Sequence, residues 1–254
     1  CREDADTMKA LIVYANPEPA SFSAAMKDAA RATLTAAGHE VVVSDLYAEN
    51  FNPVAGRHDF TTVADADRFH YQQEQLKASQ ENGFSNELAR EQQRVADADL
   101  FIFIYPLWWG GMPAILKGWF DRVLAYGFAY ADGKRFDSGF FKGRHGVVAL
   151  TTGGTPERFS EGGVYGPIEN LLYPHRRTML EYLGLEVAPS FVAYASPRVS
   201  QAEREKYLAD WSAQLTALAK KMADAPAADK RLPHAALEGG ANWASSSGGK
   251  PTQS

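Results

Sequence analysis

Residues 105–123 read Y-P-L-W-W-G-G-M-P-A-I-L-K-G-W-F-D-R-V and follow the apolar run L-F-I-F-I at 100–104. A short, uninterrupted run of this kind is the pattern of a strand buried on both faces. The chain leaves that strand at Pro106, whose ring limits the backbone and removes an N–H. It then crosses Gly110 and Gly111 and opens at Pro113 into an amphipathic helix. A strand that runs through a turn directly into a helix is one step of a βαβ unit, so the turn belongs at the carboxyl edge of a parallel sheet, where open α/β folds bind ligands. Glycines 110 and 111 allow positive φ or a close approach to a flat ligand. Adjacent tryptophans at 108 and 109 are costly to leave on a loop. Two readings stand for them: they cover a ligand, or they form part of a subunit contact, where Trp is enriched. Trp119, at helical spacing from Ile115 and Val123, reads as core.

Outward from this stretch, strands and helices alternate. Residues 9–15 and 40–46 read as buried strands, with a helix at 23–38 between them that carries Met26, Ala30 and Leu34 on one face and stops at Gly38. The polar stretch 51–84 is longer than an ordinary connection and is expected to hold short helices and part of a subunit contact. A helix at 87–98 leads into the strand at 100–104. Beyond the helix at 113–126 and an aromatic loop come a strand at 146–150, a helix at 168–182, a fifth strand at 186–192 and a closing helix at 200–222. Ser200 and Glu203 have the spacing of a capping box for that last helix. One domain over 8–223 is expected, with 224–254 a flexible C-terminal tail too poor in apolar residues to fold alone.

Composition narrows the function. The chain has 254 residues, 45% of them hydrophobic, and a net charge of −5 without a basic run, so no nucleic-acid surface is expected. Cys1 is the only cysteine, which excludes an intramolecular disulfide framework, a four-cysteine zinc site and a dithiol redox motif. Redox chemistry would need a bound cofactor. The six histidines fall on separate elements without metal-ligand spacing, so each reads as structural or solvated and no metal is expected. No apolar run has the length of a membrane span. Met8 reads as a natural start, with residues 1–7 an extension or an appended remnant, and a cytoplasmic location is the default. A processed lipoprotein is the alternative for a chain that begins with Cys.

The segment P-L-x-W-x-x-x-P-A-I-L-K-G-W-F-x-R-V resembles the flavin-contacting turn and following helix of the diaphorase-type NAD(P)H:quinone oxidoreductases. Similarity extends to A-N-P-E-P-A-S-F-S at 15–23, S-D-L-Y at 44–47 and T-T-G-G at 151–154, and spans about 9–211. The resemblance implies an α/β, flavodoxin-like fold, and five strands suit its parallel order 2-1-3-4-5 with helices on both faces. It further implies FAD, with FMN as fallback, NADH or NADPH as hydride donor, a quinone or similar flat acceptor, a homodimer with active sites between subunits, and two-electron, ping-pong transfer. A flavin-binding regulatory or accessory subunit of a membrane transporter is the alternative, and a small electron carrier a third reading.

Three loops supply the candidate site. The first, with Asn16, Ser21, Phe22 and Ser23, lacks G-x-G-x-x-G, which argues against a dinucleotide bound in the Rossmann manner. Its hydroxyls and free amides at a helix start suit the phosphates of a flavin nucleotide, and they equally suit a plain N-cap. By resemblance, Pro106, Leu107, Trp108, Trp109 and Gly110 line one edge of the isoalloxazine. Thr151, Thr152, Gly153 and Gly154 would alone read as a turn; at the end of the fourth strand their amides can approach the pyrimidine side of the flavin, where reduction builds negative charge. Aligned without a gap, Phe159 stands where those enzymes have a Tyr, Tyr165 where they have a His, and Asn16 in place of another His. Phe159 has no polar hydrogen, and a phenol such as Tyr165 is a poor proton shuttle at neutral pH. The candidate catalytic groups are therefore Tyr165 and the amides of Gly153 and Gly154. Glu157 and Glu161 read as solvated loop charges or as groups facing a substrate.

Overall fold

The structure, a computed structural model, describes residues 7–225 and 228–230. Its sheet is parallel, with β2 (Glu40–Asp45), β1 (Lys9–Tyr14), β3 (Leu100–Pro106) and β4 (His145–Thr151) side by side in that order. Every residue of β3 and β4 is buried. Alternate side chains of the central strands enter two cores: Leu11, Val13, Phe101, Phe103, Tyr105, Val148 and Leu150 on one face, Ala10, Ile12, Tyr14, Ile102, Ile104, Val147 and Ala149 on the other. The second core is closed by α1 (Phe22–Ala36) and α6 (Gln201–Ala223), where Trp211 is fully buried and donates its indole N–H to Met26 O at 3.1 Å. The first is covered by α3 (Asn86–Asp97), α4 (Ala114–Val123) and α5 (Ile168–Tyr173). The expected order therefore holds, with helices on both faces.

The fifth strand differs from expectation. It is two short pieces, β5 (Glu186–Val187) and β6 (Phe191–Ala193), both paired with β4. Pro189 lies between them and has no N–H for the ladder. The helix expected over 168–182 is also divided. It is α-helical to Tyr173, widens into a π-helix at Pro174–Leu180 and tightens into a 3-10 turn at Glu181–Leu183. The first helix begins at Phe22, one residue before the expected start, with Ser21 as its cap, Ser21 Oγ accepting from Ala24 N at 3.1 Å. On α6 the capping box of Ser200 and Glu203 is present. Residues 1–6 and most of the expected tail lie outside the described residues; of the latter, Lys230 Nζ contacts Asp99 Oδ1 at 2.7 Å.

The long connection 51–84 is bound to α4 by buried charge. It holds a 3-10 turn at Arg57–Asp59 and α2 (Tyr71–Glu81). Arg122 of α4, 1% exposed, donates through Nε to Asp59 Oδ1 at 2.9 Å, through Nη1 to Glu87 Oε2 at 2.6 Å and through Nη1 to the carbonyl of Asn52. Tyr71 OH donates to Asp59 Oδ2 at 2.6 Å. Trp119, fully buried as expected, donates to Glu91 Oε2 at 2.9 Å, and that buried carboxylate also accepts from Ser44 and Arg94. Satisfied in this way, buried charges become tolerable. The aromatic stretch at 126–130 is packed inward, with Phe128 buried and Tyr126 and Tyr130 in edge contact at 5.4 Å.

Candidate active site

Three loops leave the carboxyl edge of β1, β3 and β4 and are tied together at Thr151. Its carbonyl accepts from Leu107 N at 2.9 Å, and its hydroxyl shares a buried hydrogen bond of 3.2 Å with Ser23 Oγ. Ser23 therefore spends its side chain within the protein. Ser21 caps α1 and meets Tyr14 OH at 3.2 Å, and Phe22 turns its ring toward Tyr207 of α6. What this loop offers outward is backbone: the amides of Phe22 and Ser23 donate to no protein group among the described residues, at the positive end of a 15-residue helix. Asn16 Oδ1 accepts from Glu18 N at 2.9 Å and shapes the approach to the helix.

The second loop is a tight reversal. Trp108 N donates to Gly111 O and Gly111 N to Trp108 O, both at 2.9 Å. The two residues between, Trp109 and Gly110, have φ of 51° and 73°, the backbone of a type I′ turn. Gly110 adopts it freely. Trp109 does so at a cost of about 1–2 kcal/mol, and its side chain is fully exposed at 105% while Trp108 is at 44%. Strain of this sort gathers at functional sites. Pro106 ends β3, buried, and Leu107 packs against the core. The amides of Trp109 and Gly110 have no protein acceptor among the described residues.

The third loop repeats this supply of donors. Thr152 is anchored, donating N–H to Ala193 O at 3.1 Å and its hydroxyl to Gly154 O at 2.8 Å, whereas the amides of Gly153 and Gly154 are unpaired among the described residues. Arg198 donates through Nη1 to the carbonyl of Gly153, which places an exposed cation beside the loop. Phe159 is buried, its ring 5.0 Å from that of Tyr165 and 6.0 Å from that of Tyr194. A Cβ on Gly154 would stand 2.8 Å from the Phe159 ring, so the glycine is what lets the ring close under the loop. Tyr165 is 53% exposed on the outer side of the stack. Glu157 and Glu161 are exposed.

Two residues escaped the sequence reading. Tyr105, on β3, and His175, in the π-helical turn, are both buried and share a hydrogen bond of 2.6 Å between the phenol oxygen and Nδ1. They are 70 residues apart, and no local pattern links a strand tyrosine to one of six scattered histidines. Arg198 is likewise unmarked in the sequence. No cluster of metal-ligating side chains occurs among the described residues, and no helix there is long and apolar enough to cross a membrane.

Fold and site together define a parallel α/β protein whose loops present amides without protein acceptors, among the described residues, at the carboxyl edge of the sheet. The chain belongs to the family described as having a flavodoxin-like fold, whose family model it matches over residues 8–215. It is 40% identical over 214 residues to ribosyldihydronicotinamide dehydrogenase (quinone) of Mus musculus, covering 84% of this chain and 93% of that one. It is 39% identical over 208 residues to NAD(P)H dehydrogenase (quinone) 1 of Cavia porcellus, covering 82% of this chain and 76% of the relative. Among solved structures it resembles an NAD(P)H:quinone oxidoreductase from Methanothermobacter marburgensis, with a TM-score of 0.64, 30% identity and coverage of 84% and 96%.

Proposed function

We propose that the protein is a flavin-dependent NAD(P)H:quinone oxidoreductase working by a ping-pong cycle, with a quinone or similar flat molecule as acceptor. One observation carries the reading: amides from three loops that are unpaired among the described residues, at Phe22 and Ser23, Trp109 and Gly110, and Gly153 and Gly154, lie at one sheet edge in a chain similar over most of its length to quinone dehydrogenases. That donor set fits a flavin nucleotide, whose phosphates and ring carbonyls are acceptors. When bound, the flavin supplies the hydride chemistry.

The chain's own residues bind, orient and shield. The α1 amides and dipole hold phosphate, with Asn16 and Ser21 fixing the loop that presents them. Pro106 and Leu107 set the exit of β3, so that Trp108, Trp109 and Gly110 lie along the ring edge. Thr151 and Thr152 hold the third loop, whose Gly153 and Gly154 amides stabilise negative charge on the pyrimidine side. Phe159 closes the pocket wall, and the Tyr165 hydroxyl is the nearby side-chain donor. FAD is the flavin proposed, with FMN as the alternative; the inward-facing residues of α4 do not discriminate between them. The fully exposed Trp109 supports a homodimer in which a second subunit covers the turn. The accessory-subunit alternative finds no support in the relatives named above.

The test is the visible spectrum of the purified protein, acid release of its flavin and turnover of NADH or NADPH with a soluble quinone. A colourless protein that takes up neither FAD nor FMN on titration refutes the site.

A further inference from the structure

Burial leaves little freedom in the protonation of the Tyr105–His175 pair. Tyr105 has no exposed surface, and burial pushes its phenol far above the ordinary range, so it stays protonated. Burial also lowers the His175 pKa, favouring the neutral ring. Among the described residues the Tyr105 hydroxyl has no hydrogen-bond partner except His175 Nδ1, so its hydrogen is satisfied only by donating to that nitrogen. The remaining proton of the neutral imidazole then sits on Nε2.

That Nε2 has no hydrogen-bond partner among the described residues, although His175 is 7% exposed. It is also aimed. Chain neighbours aside, the only atom among the described residues within 4 Å of the position a Cβ would take on Gly111 is His175 Nε2, at 3.9 Å, while the equivalent position on Gly110 meets Leu171 at 3.6 Å. Leu171 and His175, one helical turn apart, thus form the floor under the Trp108–Gly111 reversal. The absence of a side chain at 111 leaves the imidazole uncovered. The helix changes to π geometry at Pro174, a local irregularity frequent at functional sites.

We propose that His175, held in its Nε2–H tautomer by Tyr105, donates a hydrogen bond through the opening at Gly111 to the flavin ring bound against the turn, and so raises the potential of that ring. The inference rests on the flavin reading above. A donor directed at a ring that becomes electron-rich on reduction stabilises the reduced form more than the oxidised one. It is a side-chain donor distinct from the positions of Phe159 and Tyr165.

The test uses the full chain loaded with flavin and three variants: His175→Leu, Tyr105→Phe and Gly111→Ala. Gly111→Ala leaves the pair intact and only covers Nε2 at an ordinary contact distance, which protects the test against a His175→Leu variant that fails to fold. Both His175→Leu and Gly111→Ala should make the flavin midpoint potential more negative; a tenfold loss in relative hold on the reduced ring reads as about 30 mV. Side-chain 15N spectra of the flavin-free protein should show His175 protonated at Nε2 in the parent and a tautomer mixture in Tyr105→Phe. Unchanged potentials in Gly111→Ala, or an Nδ1-protonated ring in the parent, overturn the proposal and leave the pair a core contact. A parent protein that binds no flavin overturns the functional reading itself, and this inference with it, before any variant is made.

Discussion

Replacing Gly118 with alanine tests what holds the 51–97 region against the sheet. In the interior of a helix alanine ordinarily gains about 1 kcal/mol over glycine. At this position the added Cβ would overlap the backbone of Pro53, lying 2.5 Å from its Cα and 2.7 Å from its carbonyl carbon, far inside the ~3.5 Å of a favourable carbon contact. Backbone cannot swing aside as the tip of a side chain can. The crossing segment is also tethered, because Asn52 N donates to Glu87 Oε1 at 3.2 Å and Arg122 donates to the Asn52 carbonyl. Relieving the overlap either lifts α4 or lifts residues 52–53. Overpacking of this kind costs about 1–3 kcal/mol, and loosening a hydrogen bond from the buried guanidinium adds about 1.5–3 kcal/mol. With the helix gain subtracted, a net loss of roughly 1.5–5 kcal/mol is expected. Urea unfolding of the flavin-free protein measures it, with Gly162→Ala as control, since nothing lies within 4 Å of a Cβ there. A Gly118→Ala protein as stable as its parent would refute the account of the crossing.

Trp109→Gly should leave the stability of the flavin-free chain unchanged or raise it by up to about 1 kcal/mol, because a positive φ suits glycine. It should weaken flavin or acceptor binding by about 1–3 kcal/mol through the lost aromatic surface; thermal melts and flavin titration separate the two effects, and a large loss of stability counts against the turn assignment. Phe159→Tyr should speed flavin reduction by NADH or NADPH several-fold, about 1 kcal/mol after allowing for a solvent-open site, and Tyr165→Phe should slow it; stopped-flow rates equal to the parent in both would show that neither faces the ring. His145 is 3% exposed with its pKa lowered by burial, Glu186 at 3.3 Å pulling the other way without winning. The unfolded chain thus binds this proton more readily. Stability should fall as pH drops below about 6.5 toward the depressed folded value, and His145→Gln should flatten that slope in urea titrations between pH 7.5 and about 5.5.

The strands were legible because a strand covered on both faces needs side chains apolar without interruption, and 100–104 and 146–150 obey that demand with little ambiguity. Elements divided by proline were not. Pro174 and Pro189 sit inside segments whose apolar spacing alone suggests one helix and one strand, and tertiary contacts decided how each was broken. Least legible was 51–84, where the expected short helices are present but the burial of its acidic residues had no signal in the sequence. Asp59 and Glu74 are fully buried there; Asp59 is reached by Arg122, 63 residues away, and by Tyr71, and Glu74 by Arg57 and the Ala64 amide. Long-range pairing of that kind leaves no local trace, and Tyr105 with His175 repeats the case.

The P-A-I-L-K-G-W-F-x-R segment shows how a motif can be diagnostic for one reason and functional for another. It marks the resemblance to flavin enzymes, yet three of its side-chain positions face away from the site. Gly118 admits the Pro53 backbone, Trp119 engages Glu91, and Arg122 joins Asp59, Glu87 and Asn52. Each contact fixes α4 against a different part of the chain, so the helix has little freedom to rotate or slide. The reversal at Trp108–Gly111 lies between this fixed helix and β3. Being braced at both ends, it can hold a tryptophan at positive φ and leave two amides without an acceptor among the described residues, a conformation that a loosely tethered loop would relax. The inward residues of the motif therefore contribute to the proposed site through geometry, by aiming the turn that precedes them.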